Sequence, residues 1–152
     1  MFKMVALISA VALLFTGCAS VPMTDTTASS QAKKFAEPAQ GKAGLYVYRD
    51  SNLGAALKKD IRVDGECLGE SAPKVFFYKE VAGDKDHTIS TESEFSPNIL
   101  TLHTKSGKNY FVRQYMKMGL FVGGANLELA EQSKGKEAVQ DLGMARGGVC
   151  SN

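Results

Sequence analysis

The 152-residue chain is poor in the residues that most often carry chemistry, with two histidines, three cysteines, four prolines and almost no excess of charge. Eighteen Lys and Arg face sixteen Asp and Glu, a net +2, and the two signs are interspersed. That balance excludes the electrostatic footprint of a nucleic-acid binder or of a receptor for strongly acidic partners. His87 and His103 have no third histidine or free thiolate at ligand spacing, so the sequence calls for no metal and no cofactor. There is no GxSxG, no HExxH and no isolated carboxylate pair. The Gly119-Leu120-Phe121-Val122-Gly123-Gly124 stretch is not a phosphate loop, because no Lys-Ser/Thr follows it. It reads instead as a bulged strand or a loop contact. The longest apolar run, Met4 to Phe15, is about 12 residues and too short to cross a hydrocarbon core of ~30 Å as a helix. No internal repeat is apparent.

What remains is ordinary for a globular domain: 44% apolar and 9% aromatic residues, too many for a disordered chain. The first feature with a definite meaning is Leu13-Leu14-Phe15-Thr16-Gly17-Cys18-Ala19-Ser20, which follows Lys3 and the apolar run. It resembles a bacterial lipobox, with Phe15 where Leu is usual. The resemblance implies a signal peptide over residues 1–17, cleavage before Cys18, and attachment of a diacylglycerol and a palmitate, three acyl chains in all, at that cysteine. One chain binds a bilayer marginally and several bind it stably, each buried CH2 adding ~0.8 kcal/mol. No Asp follows Cys18 to favour inner-membrane retention, so the expected location is the periplasmic side of the outer membrane. Lys3 leaves with the signal, and the mature chain carries a net charge of about +1.

Residues 18–41 are rich in Thr, Ser, Ala, Gln and Lys, contain Pro22 and Pro38, and lack sustained apolar periodicity. They read as a lipidated flexible tether of roughly 26 Å r.m.s. reach, in which Phe35 is incidental. From Gly44 the pattern changes to short extended segments: 45–49, 60–63, 66–68, 74–79, 86–93, 99–103, 109–115 and 126–129. Asp64-Gly65 is the clearest hairpin signal. Only 131–142 reads as a helix, with Ala130, Ala138, Val139 and Leu142 as a modest apolar stripe and Gly143 as its stop. About seven short strands and one short C-terminal helix predict an antiparallel β-sandwich over residues 42–142. Residues 143–152 form a flexible tail unless Cys150 pins it.

Gly44-Leu-Tyr-Val-Tyr-Arg49, Val63-Asp-Gly-Glu66, Ala82-Gly83 leading to His87-Thr88-Ile89, and Gly107-Lys-Asn-Tyr-Phe-Val112 together resemble the small bacterial lipoproteins grouped as domain of unknown function 2846. More distantly they resemble PEGA-type surface modules. The usual Pro-Gly before the histidine strand is Ala82-Gly83 here, followed by Asp84-Lys85-Asp86. The resemblance implies a PEGA-like or transthyretin-like β-sandwich and supplies no catalytic residues.

If Cys18 carries lipid, Cys67 and Cys150 are left as an even pair in an oxidising compartment, where a disulfide is the default. It would close a loop of about 83 residues, worth ~4.5 kcal/mol at most in the chain-entropy model. The sequence leaves open whether the two meet. If Ser93 pairs with Asn98, Ile89 lies opposite Leu102, His87 faces inward near the rim and His103 faces out. About half of Tyr46, Tyr48, Phe76, Phe77, Tyr78, Tyr110, Phe111 and Tyr115 must be core, and the rest are free to form an exposed platform. The functional expectation is a non-catalytic envelope module, anchored at Cys18, that binds a protein or glycan through a sheet face or edge. The alternative is an envelope hydrolase or hydrolase inhibitor, which a pocket joining His87 to Glu92 or Asp86 would favour.

Overall fold

A computed structural model describes residues 17–151. The signal segment expected over residues 1–17 therefore lies, apart from Gly17, outside the described residues. The elements are α1 (Thr26–Ala32), β1 (Lys42–Arg49), β2 (Lys59–Val63), β3 (Glu66–Ser71), β4 (Val75–Ala82), β5 (Lys85–Thr91), β6 (Asn98–Thr104), β7 (Asn109–Lys117), β8 (Gly124–Ala130), α2 (Gln132–Gln140) and β9 (Gly143–Met144). The chain is a mainly β sandwich of two sheets, ordered β8-β7-β1-β4-β9 and β3-β2-β5-β6, with one short helix near its C-terminus. Most neighbours are antiparallel, but β1 pairs with β7 and β4 with β9 in parallel.

Strand β1 explains the layering. Its sequence is a near-continuous run of strand formers, buried from Ala43 through Arg49, as expected of a central strand covered on both faces. Leu45 and Val47 point into the inter-sheet core with Ile61, Phe77, Ile89 and Val112. Tyr46 and Tyr48 point the other way, into a second apolar cluster with Phe76, Phe111, Val139 and Leu142. There Tyr46 stacks on Phe111 with ring centroids 4.9 Å apart. Helix α2 lies directly on this face, because a Cβ at Gly135 would stand 2.3 Å from Phe111 Cβ. The sandwich thus has a third, partial layer, and Tyr46, Tyr48, Phe76, Phe77 and Phe111 are all buried. The aromatics do not form an exposed platform.

Asp64 (φ 51°) and Gly65 (φ 81°) both take left-handed conformations between β2 and β3, as a two-residue primed turn requires. In the β5–β6 pair Ile89 lies opposite Leu100 and Thr91 opposite Asn98, two residues from the expected register. The ladder ends early because Glu92 turns away: its carboxylate accepts the Asp60 N–H at 2.9 Å and its carbonyl accepts the Ala125 N–H at 3.2 Å. An even shift keeps every side chain on its face, so His87 is buried and His103 exposed.

The expectation of a free tether over 18–41 is corrected. The segment runs along the sandwich as a packed strap. Thr24 N–H donates to the Met144 carbonyl at 2.9 Å, Met23 bridges Ala145, and Val21 packs on the inter-sheet core. Asp25 caps α1, accepting the Ala28 N–H at 2.7 Å. Phe35 is not incidental: it meets Tyr46 and Phe111 edge-on, with centroids 5.4 and 5.7 Å away. The apolar residues of the strap are too sparse to show a period, yet Val21 packs on the inter-sheet core and Ala32 and Phe35 pack on the Tyr46 face. The tail is held as well. Glu70 N–H donates to the Val149 carbonyl at 2.7 Å, and Ser151 donates through N–H and Oγ to the two oxygens of Asp60 at 3.0 and 2.8 Å.

Candidate functional site

Strand order puts three loops, β1–β2, β5–β6 and β7–β8, at one end of the sandwich, and the site grows from Arg49 at the end of β1. Its guanidinium is buried and donates to the carbonyls of Leu57, Gly54 and Leu53 at 2.7, 2.8 and 3.1 Å. Burial lowers its pKa from the ordinary arginine value, and those three carbonyls stand in for water around the charge. The β1–β2 loop is thereby fixed, and its Ala55 carbonyl accepts the N–H of Ala19 at 2.8 Å. Cys18, one residue earlier, is exposed and is the free cysteine among the described residues.

The β7–β8 loop packs beside it. Leu57 lies against Gly123, and Met116 against Gly54, around a cavity of about 240 Å³. From the β5–β6 loop the Glu94 carboxylate accepts the N–H groups of Leu120, Phe121 and Val122 at 2.7, 2.5 and 3.4 Å. Desolvation pushes the Glu94 pKa up, but these three bonds outweigh it and hold the carboxyl below its ordinary value. Gly119 permits the tight loop, since a Cβ there would sit 1.7 Å from the Val122 carbonyl oxygen.

The other singled-out residues lie apart. Cys67 and Cys150 are joined by a disulfide, which ties the tail to β3. His87 sits toward the opposite end, with Nδ1 2.6 Å from Asp64 Oδ2 and Nε2 2.8 Å from the Ala82 carbonyl. Both neighbours are acceptors, so the two bonds form together only on the doubly protonated ring. His103 meets Asp86 at 2.6 Å on the solvent side. His87 is thus joined to neither Glu92 nor Asp86. Among the described residues no group of three or more His, Cys, Asp or Glu is placed to hold a metal, and no helix is long and apolar enough to cross a membrane.

The chain matches, over residues 39–125, the model of a family described as a protein of unknown function, DUF2846. The chain belongs to this family. A relative in Haemophilus influenzae (strain ATCC 51907 / DSM 11121 / KW20 / Rd), named as an uncharacterized protein, is 55% identical over 140 residues, covering 92% of this chain and 83% of the relative. No solved structure matches. The family match includes β1 through the start of β8, and so the Arg49 clamp and the Glu94-bound loop.

Sequence reasoning singled out Cys18, Cys67 and Cys150 but missed Arg49 and Glu94. Arg49 carried a signal, an arginine closing a strand that has no other charged residue after Lys42. Glu94 carried none, because its partners are backbone groups 26 to 28 residues away. Also missed was the polar chain through the core, in which Ser71 Oγ donates to Gln114, Gln114 Nε2 to Thr91 Oγ1 at 2.7 Å, and Thr91 Oγ1 to the Asp60 carbonyl at 3.0 Å. It links β7 of one sheet to β2, β3 and β5 of the other.

Proposed function

We propose that this DUF2846 protein is a lipid-anchored, non-catalytic module of the bacterial cell envelope, held at the periplasmic face of the outer membrane through Cys18. It acts there as a binding or structural element toward an envelope protein or glycan. The observation that carries the reading is the position of Cys18 within its lipobox-like string. The thiol is exposed at the start of a packed strap, so acyl chains on Sγ and on the freed amine would clear the fold. The Cys67–Cys150 disulfide suits an oxidising compartment.

The test is the mass of the N-terminal peptide from protein expressed in a bacterial envelope, with labelled palmitate fed in parallel. The expected result is a peptide beginning at Cys18 with three acyl chains, and loss of label and of outer-membrane fractionation in Cys18→Ser. An unmodified N-terminus, or label that survives Cys18→Ser, would overturn the anchoring. Crosslinking of the anchored protein in envelopes, followed by pull-down, then reads its partner. A partner set unchanged by Cys18→Ser would separate binding from location.

A further inference from the structure

Among the described residues the large buried apolar side chains belong mainly to two clusters, while one exposed apolar group gathers at a single end of the sandwich. In the β7–β8 loop Met118 is 90% exposed, Leu120 81% and Phe121 85%, with Val122 beside them more than half exposed. Phe95 of the β5–β6 loop and Leu53 of the β1–β2 loop stand exposed at the same end. Singly exposed apolar residues are unremarkable, but a group converging from three loops marks a contact surface.

Three observations say what that contact is. The first is position: Ala19 is bonded to the same β1–β2 loop that packs against the β7–β8 loop, so Cys18 leaves the fold at this end. The second is the backbone. A chain entering hydrocarbon must satisfy its own polar groups, because lipid offers no partners. The N–H groups of Leu120, Phe121 and Val122 are already taken by Glu94. The third is charge: Lys117, exposed at the foot of the loop, can keep its ammonium among phosphates while its stem lies along apolar surface. At the other end of the sandwich the turns carry Asp64, Asp84, Lys105 and Ser106, with no comparable apolar group.

We propose that Leu120 and Phe121, with Met118 and Val122 behind them, insert into the phospholipid surface to which Cys18 tethers the chain, seating the sandwich end-on. The partner is a lipid surface of ordinary phospholipids, and the inserted loop is a second contact beside the acyl chains. This rests on the anchoring reading and adds an orientation to it: the polar turns and the sheet edges then face the periplasm, available to other partners.

The chain has no tryptophan, so one introduced residue reports alone. Mature lipidated Phe121→Trp and Lys105→Trp proteins, purified from envelopes and checked by mass for lipid on Cys18, are reconstituted into vesicles of phosphatidylethanolamine and phosphatidylglycerol (3:1) with or without brominated acyl chains. Insertion predicts at least threefold stronger quenching of Phe121→Trp than of Lys105→Trp, with a blue-shifted emission. Equal quenching of the two, with lipid present on Cys18, overturns the insertion and leaves the anchoring intact. Absence of lipid on Cys18 overturns the anchoring; Phe121→Trp is then titrated with the same brominated vesicles without an anchor, where unquenched emission overturns the insertion too. A blue shift without vesicles that grows with protein concentration assigns the loop to a second copy instead. The double change Leu120→Ser with Phe121→Ser gives an independent reading. It should lower the vesicle partition of the unlipidated Cys18→Ser protein, expressed without residues 1–17, at least threefold in sedimentation, and unchanged partition overturns the proposal.

Discussion

At both ends of the sandwich, carboxylates hold the turns together, yet the two ends present opposite surfaces. At the end away from Cys18, Asp64 accepts the Thr88 N–H at 2.9 Å and lies 2.6 Å from His87 Nδ1. Asp84 there accepts the Ser106 Oγ–H at 2.6 Å and its N–H at 3.3 Å. The side chains left outside are polar, and the turns need no further partner. At the Cys18 end, Glu94 performs the same service for 120–122, but the side chains left outside are Leu, Phe and Val. The difference teaches that the loop at the Cys18 end is ordered by its backbone bonds and not by burial of its side chains. Its apolar surface is therefore displayed on a fixed frame. Beneath it, Arg49 fixes the neighbouring loop through three carbonyls, a device with no counterpart at the far end.

The largest expected effect comes from breaking that frame. Arg49→Met keeps most of the volume but strands the Leu53, Gly54 and Leu57 carbonyls, and should cost about 3 kcal/mol. Urea unfolding measures the loss. Amide exchange locates it: the Ala19 and Leu57 N–H groups should lose protection before Thr88 does, and equal loss at both ends would show that they are one cooperative unit. The far end is tested by His87→Ala, which leaves a hole at the rim of the core and takes one partner each from Asp64 and the Ala82 carbonyl, leaving them the Thr88 N–H and the Thr104 hydroxyl. The expected cost is about 2 kcal/mol, with protection lost first at Thr88 and kept at Ala19.

Much of this layout was legible in the chain. The β-rich run, the Asp64-Gly65 turn and the inward face of His87 follow from period-2 alternation and turn chemistry, and the late helix from its apolar stripe at helical spacing, all of them local signals. The strap was not legible, because Val21 packs on the inter-sheet core while Ala32 and Phe35 pack on the Tyr46 face, and the three form no stripe of their own. The parallel β1–β7 pairing was hidden for the same reason: both strands look like members of a meander until the chain's return path is known. At the candidate site Cys18 was legible through its neighbours in sequence, whereas Arg49 and Glu94 act on backbone carbonyls and amides that no residue pattern encodes.

Acid should act on both ends together. Burial raises the Asp64 pKa, but the bonds from His87 and Thr88 outweigh it and leave the carboxyl below its ordinary value; the Ser106 bonds lower Asp84, and the loop amides lower Glu94. A carboxylate whose folded pKa is depressed stabilises the fold fully above its unfolded value, near 4, and loses that contribution as pH falls through the lower folded value. Stability from these groups should therefore be flat between about pH 7 and 5 and decline below about pH 4. All three are well solvated, so the decline is small. Asp64→Asn and Asp84→Asn should flatten it, as read by urea midpoints at neutral pH and near pH 3. An undiminished decline in the double variant would assign the acid sensitivity to other carboxylates.

The smallest expected effect on stability is the most discriminating for the comparison. Leu120→Ser with Phe121→Ser removes two large apolar side chains, a change that in either cluster would cost several kcal/mol. Here both are mostly exposed, and the backbone bonds to Glu94 do not depend on them. The unfolding free energy in water, without lipid, should stay within about 0.5 kcal/mol of the parent. Glu94→Ala reverses the logic, keeping the apolar side chains while taking away the acceptor of three N–H groups. The Phe121 amide should then exchange faster with little change in global stability, because the loop opens locally. If instead the serine pair unfolds the protein and Glu94→Ala leaves the loop protected, the loop is held by its side chains. The Cys18 end would then be an ordinary packed turn, no different in kind from the far end.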